Sequence, residues 1–141
     1  MRILAVDHGE KRIGLALSDE TARLARPLIV LKHVSRLLDA ARVAEIASEQ
    51  GSGLILVGQS FDLDGNPNLA GRRAARFAEV LETQTNIPIK LWDESLTTRD
   101  AQSSARAMGL GRKKRAGHLD DHAAAVLLQS YLDTLKHPPL E

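Results

Sequence analysis

The segment from Met1 to Ser18 constrains this chain most. Arg2 to Asp7 reads as a strand in which Ile3, Leu4, Ala5 and Val6 follow one another with no polar residue between them. A strand of that pattern is buried on both faces. His8-Gly9-Glu10-Lys11 reads as a turn and Ile13 to Ser18 as a second strand, so the chain opens with a β-hairpin. Its first strand needs a covering layer on each side of the sheet, which helices supply in α/β folds. An acid, Asp7, closes that strand.

The rest of the chain provides those layers. Pro27 to Lys32 reads as a third strand. Ser35 is a plausible N-cap and Gly51 a helix stop, with Leu37, Leu38, Ala41, Ala44, Ile46 and Ala47 as the apolar face between them. Leu54 to Gly58 is a short apolar strand, and Asp64-Gly65-Asn66-Pro67 marks a loop. Leu69 to Thr85 is a helix with Ala74, Phe77, Ala78 and Leu81 on one side, and Ile87 to Trp92 is a strand. Thr97 with Asp100 resembles a capping box for a helix from Thr98 to about Met108. Gly109 to Gly117 reads as a basic loop, and the last helix runs from His118 or Leu119 to about Leu135, before Pro138-Pro139. Strands joined by short turns pair antiparallel, and strands joined through helices pair parallel by right-handed crossovers. The expectation is one α/β domain over residues 1–141: a mixed five-stranded sheet, first three strands antiparallel and later ones parallel, flanked by helices on both faces.

Composition excludes more than it selects. With 141 residues, 43% hydrophobic and 26% charged, the chain is long enough to bury a core unaided. It has no cysteine, which rules out disulfides and thiolate metal sites and suits a cytoplasmic setting. No apolar run is long enough for a membrane span, and an acid at position 7 comes too early for a signal peptide. The net charge is only +1, but basic residues cluster at Arg112-Lys113-Lys114-Arg115 and at Arg72, Arg73 and Arg76. Such runs are solvated faces or phosphate contacts. Aromatic residues are 3% of the chain, so base stacking is a poor mode of recognition, and a grip on the backbone fits better.

Three acidic positions carry the chemistry: Asp7 at the end of one strand, Asp93 and Glu94 at the end of another, and Asp120 heading the stripe Ala124, Leu127 and Tyr131. In open α/β sheets, sites gather beyond the carboxyl ends of parallel strands. Clustered carboxylates stay ionised together when a cation sits among them, and Mg²⁺ or Mn²⁺ suits an all-oxygen site. Two such ions can support phosphodiester hydrolysis. Each acid also has an ordinary reading. Asp7 can serve a turn, Asp93 and Glu94 can be exposed strand-end charges, and Asp120 and Asp121 can be helix N-terminal acids. His118 and His122 have i,i+4 spacing, but the HExxH pattern for zinc is absent, as is a Walker A sequence.

Four stretches together resemble the YqgF/RuvX family. They are Asp7-His8-Gly9-Glu10-Lys11-Arg12-Ile13-Gly14-Leu15-Ala16, then Leu56-Val57-Gly58 through Asp64-Gly65, where the family usually reads VGLPLNMDG. The third is Asp93-Glu94-Ser95-Leu96-Thr97-Thr98, similar to DERLTT, and the fourth runs from Lys113 through Asp120 to Ala125, Leu128 and Tyr131. They occur in the expected order over nearly the whole chain. The resemblance implies an RNase H-like fold and a metal-dependent endonuclease. By it, Asp7, Glu94 and Asp120 are the catalytic and metal-binding acids, with Asp93 as a neighbour. Arg12 and Arg112, Lys113, Lys114 and Arg115 are nucleic-acid contacts, and Gly9 and Gly14 are structural glycines of the opening hairpin. Ser95 stands in place of the usual Arg, and Gln59-Ser60-Phe61 in place of Leu-Pro-Leu.

The family implies 5′-end processing of pre-16S rRNA during ribosome biogenesis, with resolution of Holliday junctions as the alternative. The partners implied are nucleic acid, ribosome-associated factors and, for a resolvase, a homodimer that cuts two strands together. A module that binds RNA without cutting it is a third reading, although clustered acids do nothing for a pure binder. An actin-like ATP site is a weaker one, since it needs two such domains.

Overall fold

The computed structural model describes residues 1–94 and 112–135, with side chains described for 1–94 and 122–135. The strands are β1 (Arg2–His8), β2 (Arg12–Ser18), β3 (Ala25–Lys32), β4 (Ser52–Gln59) and β5 (Ile89–Asp93). The helices are α1 (Arg36–Glu49), α2 (Leu69–Glu82) and α3 (Arg112–Thr134). The five strands form one sheet in the order β3-β2-β1-β4-β5. β1–β2 and β2–β3 pair antiparallel, while β1–β4 and β4–β5 pair parallel, as expected from the connections.

β1 lies at the centre, which explains its unbroken apolar run. Leu4 and Val6 enter one core with Ile55, Val57, Phe77 and Leu81, against α1 and α2. Ile3 and Ala5 enter a second core with Leu56, Leu127, Leu128 and Tyr131, against α3. Both strand faces are therefore dry, and helices cover both sides of the sheet.

Several boundaries and one face differ from expectation. β3 begins at Ala25 rather than Pro27, α2 ends at Glu82 with Thr83 as its C-cap, and β5 begins at Ile89 rather than Ile87. In α1 the buried face is Asp39, Ala40, Val43, Ala44 and Ala47, whereas Leu37 and Leu38 are 56% and 58% exposed. Asp39 turns inward with this face. Its carboxylate is buried because His33 Nδ1, at 2.5 Å, and the backbone N–H of Val34, at 3.0 Å, satisfy it. The largest difference concerns α3, which starts at Arg112 rather than His118 or Leu119. The basic run is helical, not a loop, since Arg, Lys and Ala are good helix formers that outweigh Gly117. The expected helix from Thr98 to Met108 lies outside the described residues, as do Ser95, Thr97, Thr98 and Pro138-Pro139.

Candidate active site

Strand alternation decides which acids can meet. Asp7 shares its parity along β1 with Ile3 and Ala5, which belong to the layer under α3. Glu94, just past β5, shares its parity with Trp92, which packs in that same layer. The parallel register sets Val6 beside Val57 and Gln59 beside Asp93, so both acids arrive at the same end of the sheet, one on each side of β4.

β4 makes room for them with Gly58. A Cβ at this position would lie 2.5 Å from Oε1 of Glu94 and 2.9 Å from Cδ2 of Leu127. The space over Gly58 is thus filled by the Glu94 carboxyl and by α3. On the other flank, Gly14 stands directly opposite Asp7 across the β1–β2 pair. With no side chain there, a cleft of about 340 Å³ opens beside Asp7, lined by the hairpin turn from Gly9 to Arg12, by Gly14 and by Val30. The turn itself closes through the Gly9 N–H donating to the Arg12 carbonyl at 2.9 Å. Any Cβ at Gly9 would fall 2.6 Å from that carbonyl oxygen.

The end of β5 is tied to α3. Trp92 Nε1 donates to Ser130 Oγ at 3.3 Å, and the Trp92 and Tyr131 rings meet edge to face at 5.0 Å. These contacts hold Glu94 in a half-buried position. Burial is the largest cause that pushes its carboxyl up to about 7, followed by the charge of Asp7, a hydrogen bond with Asp7, and the charge of Asp93. A hydrogen bond between two carboxyl groups requires a proton on one of them. Glu94 is thus driven to keep its proton to higher pH than an ordinary carboxyl, held against Asp7.

The structure thus brings Asp7 and Glu94 into contact. Asp93 has the opposite parity, which assigns it to the α1–α2 side of the sheet. Asp120 lies about two turns inside α3, and the described first turn of that helix contains no acid. The reading of Asp120 as an N-terminal helix acid is therefore overturned. Its side chain lies outside those described, as do the side chains of Arg112, Lys113, Lys114, Arg115 and His118. Among the described residues, no three His, Asp or Glu side chains form a metal-binding group. Arg12 and Lys11 both line the cleft beside Asp7. His8 ends β1 rather than sitting in the turn, its ring 4.6 Å from that of Phe77. Burial there pulls its pKa below the usual value against the opposing charge of Asp39, with His33, Arg36 and Arg73 adding to the lowering. Gly58 was missed as a site residue, although a glycine closing an apolar strand is itself a signal of close approach.

This sheet, with an acid on its central strand meeting a second acid just past β5, has the architecture of an RNase H-like protein. The chain belongs to the RuvX family, described as Holliday junction resolvase, whose profile matches residues 1–134. It is 42% identical over 133 residues to a protein of Anaeromyxobacter sp. (strain Fw109-5) named "Putative pre-16S rRNA nuclease", covering 94% of this chain and 97% of the other. A protein of the same name from Thermoanaerobacter pseudethanolicus is 38% identical over 138 residues, covering 97% and 99%. Among solved structures, the fold is similar to RuvC of T. thermophilus in complex with a Holliday junction substrate, with a TM-score of 0.59 at 17% identity, covering 96% of each chain. It is also similar to the fowlpox virus resolvase bound to Holliday junction DNA, with a TM-score of 0.58 at 17% identity, covering 97% of this chain and 100% of that one.

Proposed function

We propose that this chain is a metal-dependent endonuclease that hydrolyses phosphodiester bonds in the 5′-end processing of pre-16S rRNA, as one domain over residues 1–141. The observation that carries the reading is the meeting of the Asp7 and Glu94 carboxyls at the carboxyl end of the parallel strands, beside a cleft edged by Lys11 and Arg12. The relatives' names support RNA as the substrate.

The donor set fits Mg²⁺ or Mn²⁺, since it is all oxygen and the proton kept on Glu94 marks a place where a cation relieves repulsion. Asp7, Glu94 and Asp120 would hold the ion, with Asp93 as an outlying neighbour. When bound, it would supply Lewis acidity toward the scissile phosphate. The protein's own part is to keep Glu94 half-buried and to give up the proton it holds against Asp7. Gly58 leaves room for the Glu94 carboxyl, Gly14 leaves space for the substrate, and Lys11 and Arg12 contact its backbone. Arg112, Lys113, Lys114 and Arg115 would add further contacts from the start of α3. We place the reaction in the cytoplasm. Among the described residues, no helix is long and apolar enough to cross a membrane.

The test is to incubate purified protein with a pre-16S RNA and a four-way DNA junction, with Mg²⁺, with Mn²⁺ and with EDTA, beside Asp7→Asn. Metal-dependent cutting of the RNA that the variant loses is the expected result. The fold likeness to a junction-bound RuvC favours a second reading, a resolvase acting as a homodimer. Symmetric cutting of the junction alone would install it. Binding without cutting, unchanged in Asp7→Asn and in the presence of ribosome-associated factors, would leave an RNA-binding assembly module.

A further inference from the structure

We propose that the α1–α2 face carries a second, arginine-lined groove that holds the RNA backbone beyond the scissile point, joined to the carboxylate cleft around the β1–β2 turn. The identity of the strand as substrate rests on the nuclease reading above.

Arg36, the first residue of α1, meets Arg72, Arg73 and Arg76 of α2 around one cavity of about 260 Å³. Charge is badly placed there for stability alone. Arg36 opens α1 and Arg72 closes the first turn of α2, so these two lie beside electropositive helix ends where cations are unfavourable, and Arg73 and Arg76 follow in the next turn. The first turn of α2 carries no acid. The first turn of α1 carries Asp39, but that carboxylate is buried and committed to His33 and the Val34 N–H. Among the described residues, neither Arg36 nor Arg76 forms an ion pair. Four guanidinium groups around one cavity repel one another, and an anion with several charges removes that repulsion.

The groove leads to the site. A neighbouring cavity of about 290 Å³ is lined by Arg36 and Arg73, which it shares with the groove, and by Gly9 and Glu10, which it shares with the carboxylate cleft. His8 and His33 complete it. The three spaces form a track from Asp7, over the hairpin turn, to Arg76. Glu10 is an acid at the crossing, 3.8 Å from Arg73 Nη1. That pair is solvent-exposed and therefore weak enough to exchange for a phosphate. Arg72 Nη1 is steadied by the Pro67 carbonyl at 3.2 Å. Among the described residues, no aromatic ring other than the two imidazoles lines the track, so it suits phosphates rather than stacked bases.

The test measures binding of a labelled pre-16S leader RNA over a range of salt, in EDTA so that no strand is cut. The proteins are the wild type, Arg36→Gln/Arg76→Gln, and the control Arg23→Gln/Arg26→Gln, which removes the same charge beside the β2–β3 connection. The groove variant should bind roughly five- to tenfold more weakly, and its log–log salt slope should fall by about 1.4, or ~0.7 for each lost phosphate contact. The control should keep the wild-type slope. Equal affinity and slope for groove variant and control would overturn the groove. Loss confined to a four-way DNA junction, with RNA binding intact, would overturn the assignment to RNA. Cleavage with Mg²⁺ is scored separately. Groove-dependent RNA binding without any cutting keeps the groove and removes the nuclease reading, while cutting with groove-independent binding does the reverse.

Discussion

Glu94 holds its proton more tightly in the folded chain than in the unfolded one, because burial and Asp7 oppose its charge. The sign of the consequence follows from linkage. Its stabilising contribution is complete below the unfolded value near 4.5 and is lost as pH rises through about 7. In metal-free protein, Glu94→Gln should therefore gain stability relative to wild type as pH rises from about 4.5 to about 7, then level off. His8 acts in the opposite sense, since its lowered pKa withdraws stability as pH falls below the usual histidine value. It is present in both proteins and drops out of the difference. Paired urea titrations at several pH values would check this, and a flat difference would show that folding does not raise the Glu94 carboxyl. Gly58→Ala provides a second check. A methyl 2.5 Å from Glu94 Oε1 must push that carboxyl or α3 aside. The expected cost is ~1–3 kcal/mol of stability from overpacking and about a hundredfold in cleavage from misplacement. Of these residues, Asp7 and Glu94 were legible because acids at the ends of apolar strands are out of place. Gly58 was not assigned a role, since its meaning lies in what approaches it, and spacing does not encode approach.

At the scale of elements, α2 illustrates a start determined by local chemistry. Asn68 Oδ1 accepts the N–H of Gly71 at 2.8 Å and the hydroxyl of Ser60 at 2.7 Å, which joins the helix cap to the end of β4. Asn68→Ala should cost about 1–2 kcal/mol. The urea midpoint should fall at unchanged m-value, because the unfolded surface is the same. The existence and order of the described elements could be read from apolar runs and turn residues. Two features could not. The inner face of α1 depends on the His33 ring pairing with Asp39, a contact between an element and the loop before it. The start of α3 depends on whether a basic run is helical, where propensity and the Gly-rich flank disagree and packing further along the helix decides. That shift moved Asp120 away from the helix terminus, which changes its meaning as well as its position.

For the whole molecule, a divalent ion that binds the folded site and not the unfolded chain must raise thermal stability by mass action. Mg²⁺ should raise the Tm, and the gain should grow between pH 6 and 8 as the proton held on Glu94 is displaced, about one proton for each ion bound. A Tm shift independent of pH, or one retained in Asp7→Asn, would place the ion elsewhere. The sheet order, unlike the side-chain chemistry, was legible as a whole, since short turns impose antiparallel pairing and helical crossovers impose parallel pairing.

Strand order also imposes a sequence in time. The sheet grows from β3, β2 and β1 outward to β4 and then β5, in the order in which the last three of these partners can form as the chain is synthesised. The first acid is in place once the opening hairpin has formed, but the second reaches it only after β5 has docked at the far edge. A chain still attached to the ribosome that made it, and shorter than 94 residues, would be chemically silent toward the RNA around it. Competence arrives later still, once α3 has packed on the completed sheet and tied the end of β5 through Trp92.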